Sequence, residues 1–221
     1  MTERYEGIKA STGYAIGNIY LFTREKIDVN QAKISQEQAD GEYQKVKEAI
    51  NAYFEDLSNL DNPTEAQQNI ANAHKELLQD PYFSDTIEGK IKNENKNSEL
   101  ALDETVREMV EIMSALDDEY LKERASDYQD IGFQVMYKLK GIKPKDLSNL
   151  DNGSIIISKE LTPSDTANMD KEAVVGFATD LGGKTSHTSI IAQTLDMPAL
   201  VGMANVSTKL KGGEKAIIDG Y

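Results

Sequence analysis

The 221-residue sequence contains no cysteine, no tryptophan and only two histidines, His74 and His187. Without cysteine the chain has no disulfide framework, no thiolate zinc site and no cysteine nucleophile. Two histidines are too few for a multi-histidine metal cluster. No apolar run approaches the roughly 18 residues of a membrane-spanning helix, so we expect no membrane insertion. Glu3 and Glu6 lie where a secretory signal would be basic, which favours a cytoplasmic protein.

Basic residues are also scarce, with 24 Lys and Arg against 38 Asp and Glu and a formal net charge of −14. This balance argues against nucleic acid and anionic membranes as partners, because both bind basic surfaces. Most of the excess lies between Lys33 and Lys143, a segment with 24 acidic and 13 basic residues but only 4 of the 15 glycines. This glycine-poor, acidic segment predicts a helical insert within a mixed α/β domain.

Apolar residues of the insert recur at three- and four-residue spacing, which indicates amphipathic helices. Stripes run through residues 43–57, 70–78, 83–91, 106–116 and 121–139. Asn62 and Pro63 are predicted to cap and begin the second helix, and Asp80-Pro81 to break it. His74 lies on this second stripe, so a hydrogen-bonded histidine between helices and a partner contact are both open. Gly141 and Pro144 end the bundle.

The flanking segments instead resemble strands. Residues 13–22 are apolar and aromatic with two glycines, and the runs at residues 154–158, 174–178, 200–202 and 215–219 are short and β-branched. One intervening helix is predicted to begin with Thr162 as its N-cap and Pro163 as its first residue, and Asp165 faces its positive end. Another follows Gly182-Gly183. The alternation predicts a mixed α/β subdomain formed by residues 1–30 and 144–221, with an inserted all-α helical bundle over residues 31–143.

The segment Gly182-Gly183-Lys184-Thr185-Ser186-His187 places a histidine in the first turn of the latter helix. Backbone N–H groups and the positive helix end at such a position bind anions and disfavour protonation of the imidazole. A neutral imidazole beside N–H donors suits a histidine that attacks a phosphoryl group and then carries it. The segment is not a nucleotide P-loop, because the first glycine of that motif is missing in the required register.

This segment and its continuation through Ile190-Ile191-Ala192, followed by residues 195–202, resemble the phosphohistidine signature of phosphoenolpyruvate-utilising enzymes. Within that group, residues 116–125, 130–132 and 161–167 resemble the Enzyme I family of the bacterial phosphoenolpyruvate:sugar phosphotransferase system. The resemblance covers nearly the whole chain. It implies a swivelling phosphohistidine α/β subdomain that carries a helical insert.

The resemblance implies that His187 takes the phosphoryl group of phosphoenolpyruvate onto Nε2 and passes it to a histidine of the phosphocarrier protein HPr. Thr166 corresponds to a family threonine whose hydroxyl contacts the imidazole, and Lys184 and Thr185 complete the expected catalytic set. The helical insert corresponds to the docking surface for HPr, and its negative charge suits a basic partner. By position, the implied docking residues are Ile70, His74, Leu77, Phe83, Met113, Tyr120 and Arg124.

The chain departs from the family pattern at two positions. The family usually has a lysine seven residues before the His74 position, where this chain has Gln67, and commonly an arginine after Ile191-Ala192, where it has Gln193. Both changes remove a positive charge that could neutralise phosphate. We therefore expect slightly weaker stabilisation of the phosphoryl group or a rearranged charge partner, without loss of function.

The C-terminal barrel of the family, which binds phosphoenolpyruvate and Mg²⁺ and supplies dimer contacts, is not found in these residues. We expect a monomeric N-terminal fragment without a cofactor of its own, and Mg²⁺ and a homodimer for the full-length enzyme. Three alternatives stay open. They are the swivelling domain of a pyruvate phosphate dikinase or phosphoenolpyruvate synthase, a nitrogen- or metabolism-specific paralogue of Enzyme I, and a non-enzymatic helical interaction module.

Overall fold

A computed structural model describes residues 3–221, apart from the side chains of residues 119 and 123, and divides the chain into two compact units. The α/β unit ends its first segment at Glu25 and resumes at Lys145, and the helical unit comprises Lys26–Pro144. Residues 26–30 and Pro144 thus lie with the helices, whereas the sequence analysis assigned them to the α/β subdomain. The reason is packing, because Ile27 and Val29 contact the core of the helical unit.

The helical unit consists of consecutive amphipathic helices that share one core. After a 3-10 turn at Gln36–Gln38, these are α1 (Ala39–Ser58), α2 (Glu65–Leu78), α3 (Pro81–Glu94), α4 (Ser98–Ala115) and α5 (Glu119–Lys140). Val46, Phe83, Leu102 and Ile131 are fully buried in this core. Across residues 3–221, the helices lack the combination of length and apolar character needed to cross a lipid bilayer.

Capping side chains fix where these helices begin. Oγ1 of Thr64 accepts a hydrogen bond from the N–H of Gln67, and Oε1 of Gln67 accepts one from the N–H of Thr64. The predicted cap at Asn62 is therefore wrong, because Asn62 has a left-handed backbone with φ +46° instead of the extended conformation of an N-cap. Asp80 caps α3 with Pro81 as its first residue, and Gly141 ends α5 in a left-handed conformation.

The α/β unit contains one mixed sheet with short helices between its strands. Its elements are β1 (Ile8–Ser11), β2 (Tyr14–Phe22), β3 (Ser154–Ser158), α6 (Pro163–Ala167), β4 (Val174–Thr179), α7 (His187–Thr194), β5 (Ala199–Val201), α8 (Val206–Lys209) and β6 (Lys215–Asp219). The strand order is β1-β5-β4-β3-β2-β6, and β2, β3, β4 and β5 are parallel. The sequence pattern alone predicts neither β1 nor α8.

Alternating residues of β3 separate two apolar cores on the faces of this sheet. Ile156 packs in the core that includes Ala192 of α7, whereas Ile155 and Ile157 pack in the core that includes Val206 of α8. Because α6 follows β3 and α7 follows β4, both helices start beyond the carboxyl ends of neighbouring parallel strands. Open α/β sheets bind ligands at this edge.

Candidate active site

The turn before α7 is shaped by one glycine and two serines. Gly182 has φ +108°, and a Cβ atom there would lie 3.1 Å from Oγ of Ser186, so the position requires glycine. Oγ of Ser186 donates to the carbonyl of Gly183 at 2.9 Å, and Oγ of the fully buried Ser189 donates to the same carbonyl at 2.7 Å. Two hydroxyls therefore tie the turn to the first turn of α7.

His187 is the first residue of α7 and is partly exposed. Its Nε2 atom lies 3.4 Å from Oγ1 of Thr166, a residue that is 1% exposed. The same Oγ1 lies 2.9 Å from the carbonyl oxygen of Pro163 and 3.2 Å from that of Thr162. The hydroxyl therefore has both backbone and ring acceptors within reach, and it can donate to Nε2 when the ring carries its proton on Nδ1.

The first turn of α7 is held by its own side chains. Oγ of Ser186 accepts the N–H of Ser189 at 3.3 Å, which removes one donor from the set predicted to face an anion. Oγ1 of Thr188 donates to the carbonyl of Leu161 at 3.3 Å. Because Leu161 lies just before α6, this bond links α7 to the segment that carries Thr166.

Lys184 and Thr185 are exposed in the turn before the N-cap. Neither side chain makes a hydrogen bond or an ion pair with any residue in the range 3–221. The structure thus brings Thr166 to His187 but joins neither Lys184 nor Thr185 to the ring. Lys184 leaves a solvated ammonium group close to His187 along the chain.

A cation that the sequence analysis missed lies against α6. Nη2 of Arg24 donates to Oγ1 of Thr162 at 3.1 Å and pairs with the carboxylate of Asp165. These ion-paired side chains are only 16% and 11% exposed. Asp165 also accepts the N–H of Thr162 at 2.8 Å, so Arg24 binds both members of the capping box of α6. No local motif marks Arg24, because 141 residues separate it from Asp165.

The two residues that depart from the family pattern are both engaged in structure. Nε2 of Gln193 donates to the carbonyl of Ala10 at 2.8 Å and so ties α7 to β1. Gln67 caps α2 in the helical unit. Each of these glutamine side chains therefore has a structural role, and neither supplies the positive charge that is common at its position in the family.

The implied docking residues of the helical unit differ in burial. Tyr120 is 59% exposed, and Ile70, Met113 and Arg124 are partly buried. His74, Leu77 and Phe83 are at most 8% exposed and belong to the core or its buried polar groups. These three side chains face the inside of the bundle in the chain by itself, and their contact with a partner stays a prediction.

His74 belongs to a buried polar cluster between α1, α2 and α5. Its Nδ1 lies 2.7 Å from the hydroxyl of Tyr53, and its Nε2 lies 3.7 Å from Oδ1 of Asp127 and 4.0 Å from Oδ2 of Asp130. Asp130 is fully buried and accepts a hydrogen bond from Nε2 of Gln134 at 3.3 Å. Of the two alternatives for His74, the structure supports the hydrogen-bonded histidine between helices.

Tyr120 and Arg124 do meet at the surface of the helical unit. Nη2 of Arg124 lies 2.6 Å from the hydroxyl of Tyr120 and 3.0 Å from Oε2 of Glu76. The guanidinium carbon lies 5.1 Å from the centroid of the Tyr120 ring. This small network joins α5 to α2 and presents an aromatic ring beside a carboxylate.

Comparison with known proteins matches both units to one group. The family model described as "PEP-utilising enzyme, N-terminal" matches residues 6–124, and the one described as "PEP-utilising enzyme, mobile domain" matches residues 150–221. The chain therefore belongs to the family of phosphoenolpyruvate-utilising enzymes. Thr166 and His187 both lie within the mobile-domain match.

Two curated relatives show which proteins of this family the chain resembles. The chain is 37% identical over 227 residues to a phosphoenolpyruvate-protein phosphotransferase of Staphylococcus aureus, with 100% of this chain and 39% of the relative covered. It is 39% identical over 218 residues to the enzyme of the same name from Buchnera aphidicola, with 96% and 38% covered. The chain thus spans about two fifths of the length of the curated relatives it matches.

Solved structures agree with the fold. An NMR structure of Enzyme I superposes with a TM-score of 0.79 at 38% identity, covering 98% of this chain and 90% of that one. The N-terminal domain of Enzyme 1 - Nitrogen shares the fold at 21% identity and a TM-score of 0.50, covering 99% of this chain and 91% of that one. The predicted fold class, an α/β unit with a helical insert, is confirmed. These similarities do not favour the dikinase alternative.

Proposed function

We propose that His187 accepts a phosphoryl group on Nε2 and passes it to a histidine of the phosphocarrier protein HPr, in the first step of sugar phosphotransferase transport. The observation that carries the proposal is the pair formed by Nε2 of His187 and Oγ1 of Thr166, 3.4 Å apart at the amino end of α7. The His187 side chain is partly exposed, as a residue that meets a phosphoryl donor has to be, and the buried hydroxyl of Thr166 beside Nε2 can hold the ring in orientation. The names of the relatives support phosphoenolpyruvate as the original donor.

The chemistry balances in two steps. The lone pair on Nε2 of neutral His187 attacks phosphorus, the bond from phosphorus to the enol oxygen breaks, and enolpyruvate leaves and takes up a proton to become pyruvate. In the second step a ring nitrogen of the HPr histidine attacks phosphorus and the P–N bond to His187 breaks. The Thr166 hydroxyl assists by turning its proton from Nε2 to the carbonyl of Pro163, which frees the lone pair for attack.

The positive end of α7 and Lys184 supply the electrostatic part of the proposal. The helix amino end stabilises the added negative charge, and the exposed ammonium group of Lys184 is available to a phosphoryl oxygen. Within residues 3–221 no group of three or more His, Asp or Glu side chains is arranged to hold a metal ion. We assign Mg²⁺, which the family resemblance implies, to the phosphoenolpyruvate-binding region of the longer enzyme.

We assign HPr docking to the helical unit. The segment between Lys33 and Lys143 has a net charge of −11, which would attract a basic partner and speed its encounter. Tyr120 and Arg124 offer an aromatic ring and a guanidinium group on its surface. We place the reaction in the cytoplasm. We propose that the 221-residue chain is a monomer by itself and that the longer enzyme dimerises through its phosphoenolpyruvate-binding region.

The test compares two phosphoryl donors on the 221-residue chain, with His187→Ala as the control. Phospho-HPr should label the chain with acid-labile phosphate on His187, whereas phosphoenolpyruvate alone should not. Labelling of the His187→Ala variant would contradict the proposed site. Labelling of the wild-type chain by phosphoenolpyruvate alone would contradict the proposal that the use of this donor needs the phosphoenolpyruvate-binding region of the longer enzyme. An HPr titration followed by NMR should shift resonances of the helical unit. A silent helical unit would favour the non-enzymatic alternative.

A further inference from the structure

We propose that Arg24 prolongs the phosphorylated state of His187 by neutralising the carboxylate of Asp165 beside Thr166. The inference rests on the proposed function and assigns an electrostatic and positioning role to a residue outside the phosphohistidine motif. Arg24 does not contact the reacting nitrogen. It acts through α6, whose side chain at position 166 faces Nε2 of His187.

The contacts form a continuous path. Arg24 binds Asp165 by an ion pair and Thr162 by a hydrogen bond of 3.1 Å. Asp165 immediately precedes Thr166, and Oγ1 of Thr166 lies 3.4 Å from Nε2 of His187. A cation that fixes both capping residues of α6 thereby also fixes the turn that carries the Thr166 hydroxyl.

The electrostatic consequence follows from the charges. A phosphoryl group on Nε2 brings its negative charge to the ring atom that lies 3.4 Å from Oγ1 of Thr166, the residue that follows Asp165 in the chain. An unpaired carboxylate there would repel the phosphoryl oxygens in a partly desolvated setting, where charges interact more strongly than in water. The ion pair with Arg24 cancels most of that repulsion. Asp165 is only 11% exposed, so solvent screens it poorly.

This role also accounts for the missing charge at position 193. The amide of Gln193 is bound to the carbonyl of Ala10 and carries no charge. Arg24 places a guanidinium group at α6 instead, held by two partners in the geometry that arginine favours. In this proposal the segment after β2 contributes the cation that offsets the Asp165 carboxylate, while position 193 carries no charge.

The experiment measures how long phosphohistidine survives. The wild-type chain and its variants are phosphorylated with potassium phosphoramidate, freed of reagent, and followed by ³¹P NMR. Arg24→Gln should shorten the lifetime about fivefold, which corresponds to about 1 kcal/mol. The double variant Arg24→Gln/Asp165→Asn removes both charges and should return the lifetime to within about twofold of wild type. Arg4→Gln is the matched control, since Arg4 is 88% exposed and should leave the lifetime unchanged.

Each outcome has one meaning. A wild-type chain that forms no phosphohistidine on His187 overturns the proposed function and the role of Arg24 with it. A wild-type chain that is phosphorylated, together with an unchanged lifetime in Arg24→Gln, overturns the role of Arg24 alone. Failure of the double variant to restore the lifetime shows a purely structural effect and also overturns the proposal. If Arg24→Gln does not fold, Arg24→Lys keeps the charge that neutralises Asp165 and should retain the lifetime within about twofold, and a lifetime shortened about fivefold or more in a folded Arg24→Lys variant also overturns the proposal.

Discussion

Oγ1 of Thr166 lies 3.4 Å from Nε2 of His187 and 2.9 Å from the carbonyl oxygen of Pro163. One hydroxyl proton therefore has a ring acceptor and a backbone acceptor at the same place. When it points to the ring it selects the tautomer with the proton on Nδ1, which leaves the lone pair on Nε2. When it points to the backbone that lone pair is free to react.

Replacing Thr166 with valine should weaken this tautomer preference. Valine keeps the shape of threonine but removes the hydroxyl, and the N–H of residue 166 still bonds to the carbonyl of Thr162 at 3.1 Å. We expect the fold to persist with a loss of about 1 kcal/mol of stability. Long-range ¹H–¹⁵N correlation spectra of His187 measure the tautomer ratio. A ratio identical to wild type would show that the hydroxyl does not act on the ring.

Replacing Ser189 with alanine should loosen the turn before α7. The fully buried hydroxyl of Ser189 donates to the carbonyl of Gly183 at 2.7 Å, and its loss should cost about 1–2 kcal/mol. Amide exchange at Lys184 and Thr185 and chemical denaturation measure the effect. Thr194→Ala on the same helix is the control, because its exposed hydroxyl bonds only to the carbonyl of Ile190 within the helix. Equal effects of the two variants would contradict the assigned role of Ser189.

Alanine variants of His74 and Tyr120 should differ in their effects, the first mainly on the stability of the fold and the second mainly on HPr binding. His74 is fully buried against the hydroxyl of Tyr53, so His74→Ala leaves a cavity, removes the hydrogen bond between the two side chains and should cost about 2–4 kcal/mol. Tyr120 is 59% exposed, and Tyr120→Ala should cost less than about 1 kcal/mol while weakening HPr binding. Denaturation curves and HPr titrations distinguish the two. A stable His74→Ala variant with weakened HPr binding would instead support the partner contact predicted for His74.

A positive charge at position 67 should lower the stability of the fold and prolong the lifetime of the phosphoenzyme. Oε1 of Gln67 accepts the N–H of Thr64, so Gln67→Lys removes this acceptor and places a cation at the positive end of α2, at a cost of about 1 kcal/mol. Gln67→Glu keeps the acceptor and should be at least as stable as wild type. If the family lysine acts on the phosphoryl group, Gln67→Lys also prolongs the phosphoenzyme lifetime. An unchanged lifetime and transfer rate would count against the expected weakening at this position.

Glu42 should contribute to the acid sensitivity of the helical unit. Burial by itself raises the pKa of the Glu42 carboxyl, but the hydrogen bond with Lys45 and those from the N–H and hydroxyl of Ser98 outweigh it and lower the pKa below its usual value. A lowered pKa in the folded state stabilises the fold above the unfolded-state pKa, and this contribution is lost as pH falls through the folded value. Glu42→Gln should therefore be less stable near neutral pH and lose less stability on acidification. Denaturation curves across the acid range measure the free energy of unfolding of both proteins. An equal loss of stability on acidification in wild type and Glu42→Gln would contradict this prediction.

Local patterns determined much of this protein. Helical periodicity located the five helices predicted within residues 43–139, and the caps at Thr162 and Asp80 are set by residues within three positions of each other. The phosphohistidine motif likewise placed His187 at a helix start, because a glycine turn and an N-cap are contiguous in sequence. Such features depend on neighbours along the chain and can be predicted from it.

Only the tertiary structure decided which residues of these patterns meet. An apolar stripe marks one face of α2, but only packing against α1 and α5 decided that His74 on this helix is buried, whereas Tyr120 at the start of α5 is exposed. Arg24 pairs with Asp165 across 141 residues, and residues 26–30 joined the helical unit, because long-range contacts depend on how whole elements pack. Periodicity predicts that one face of a helix is apolar. Which residues cover that face depends on how the helices pack, and this cannot be read from local sequence.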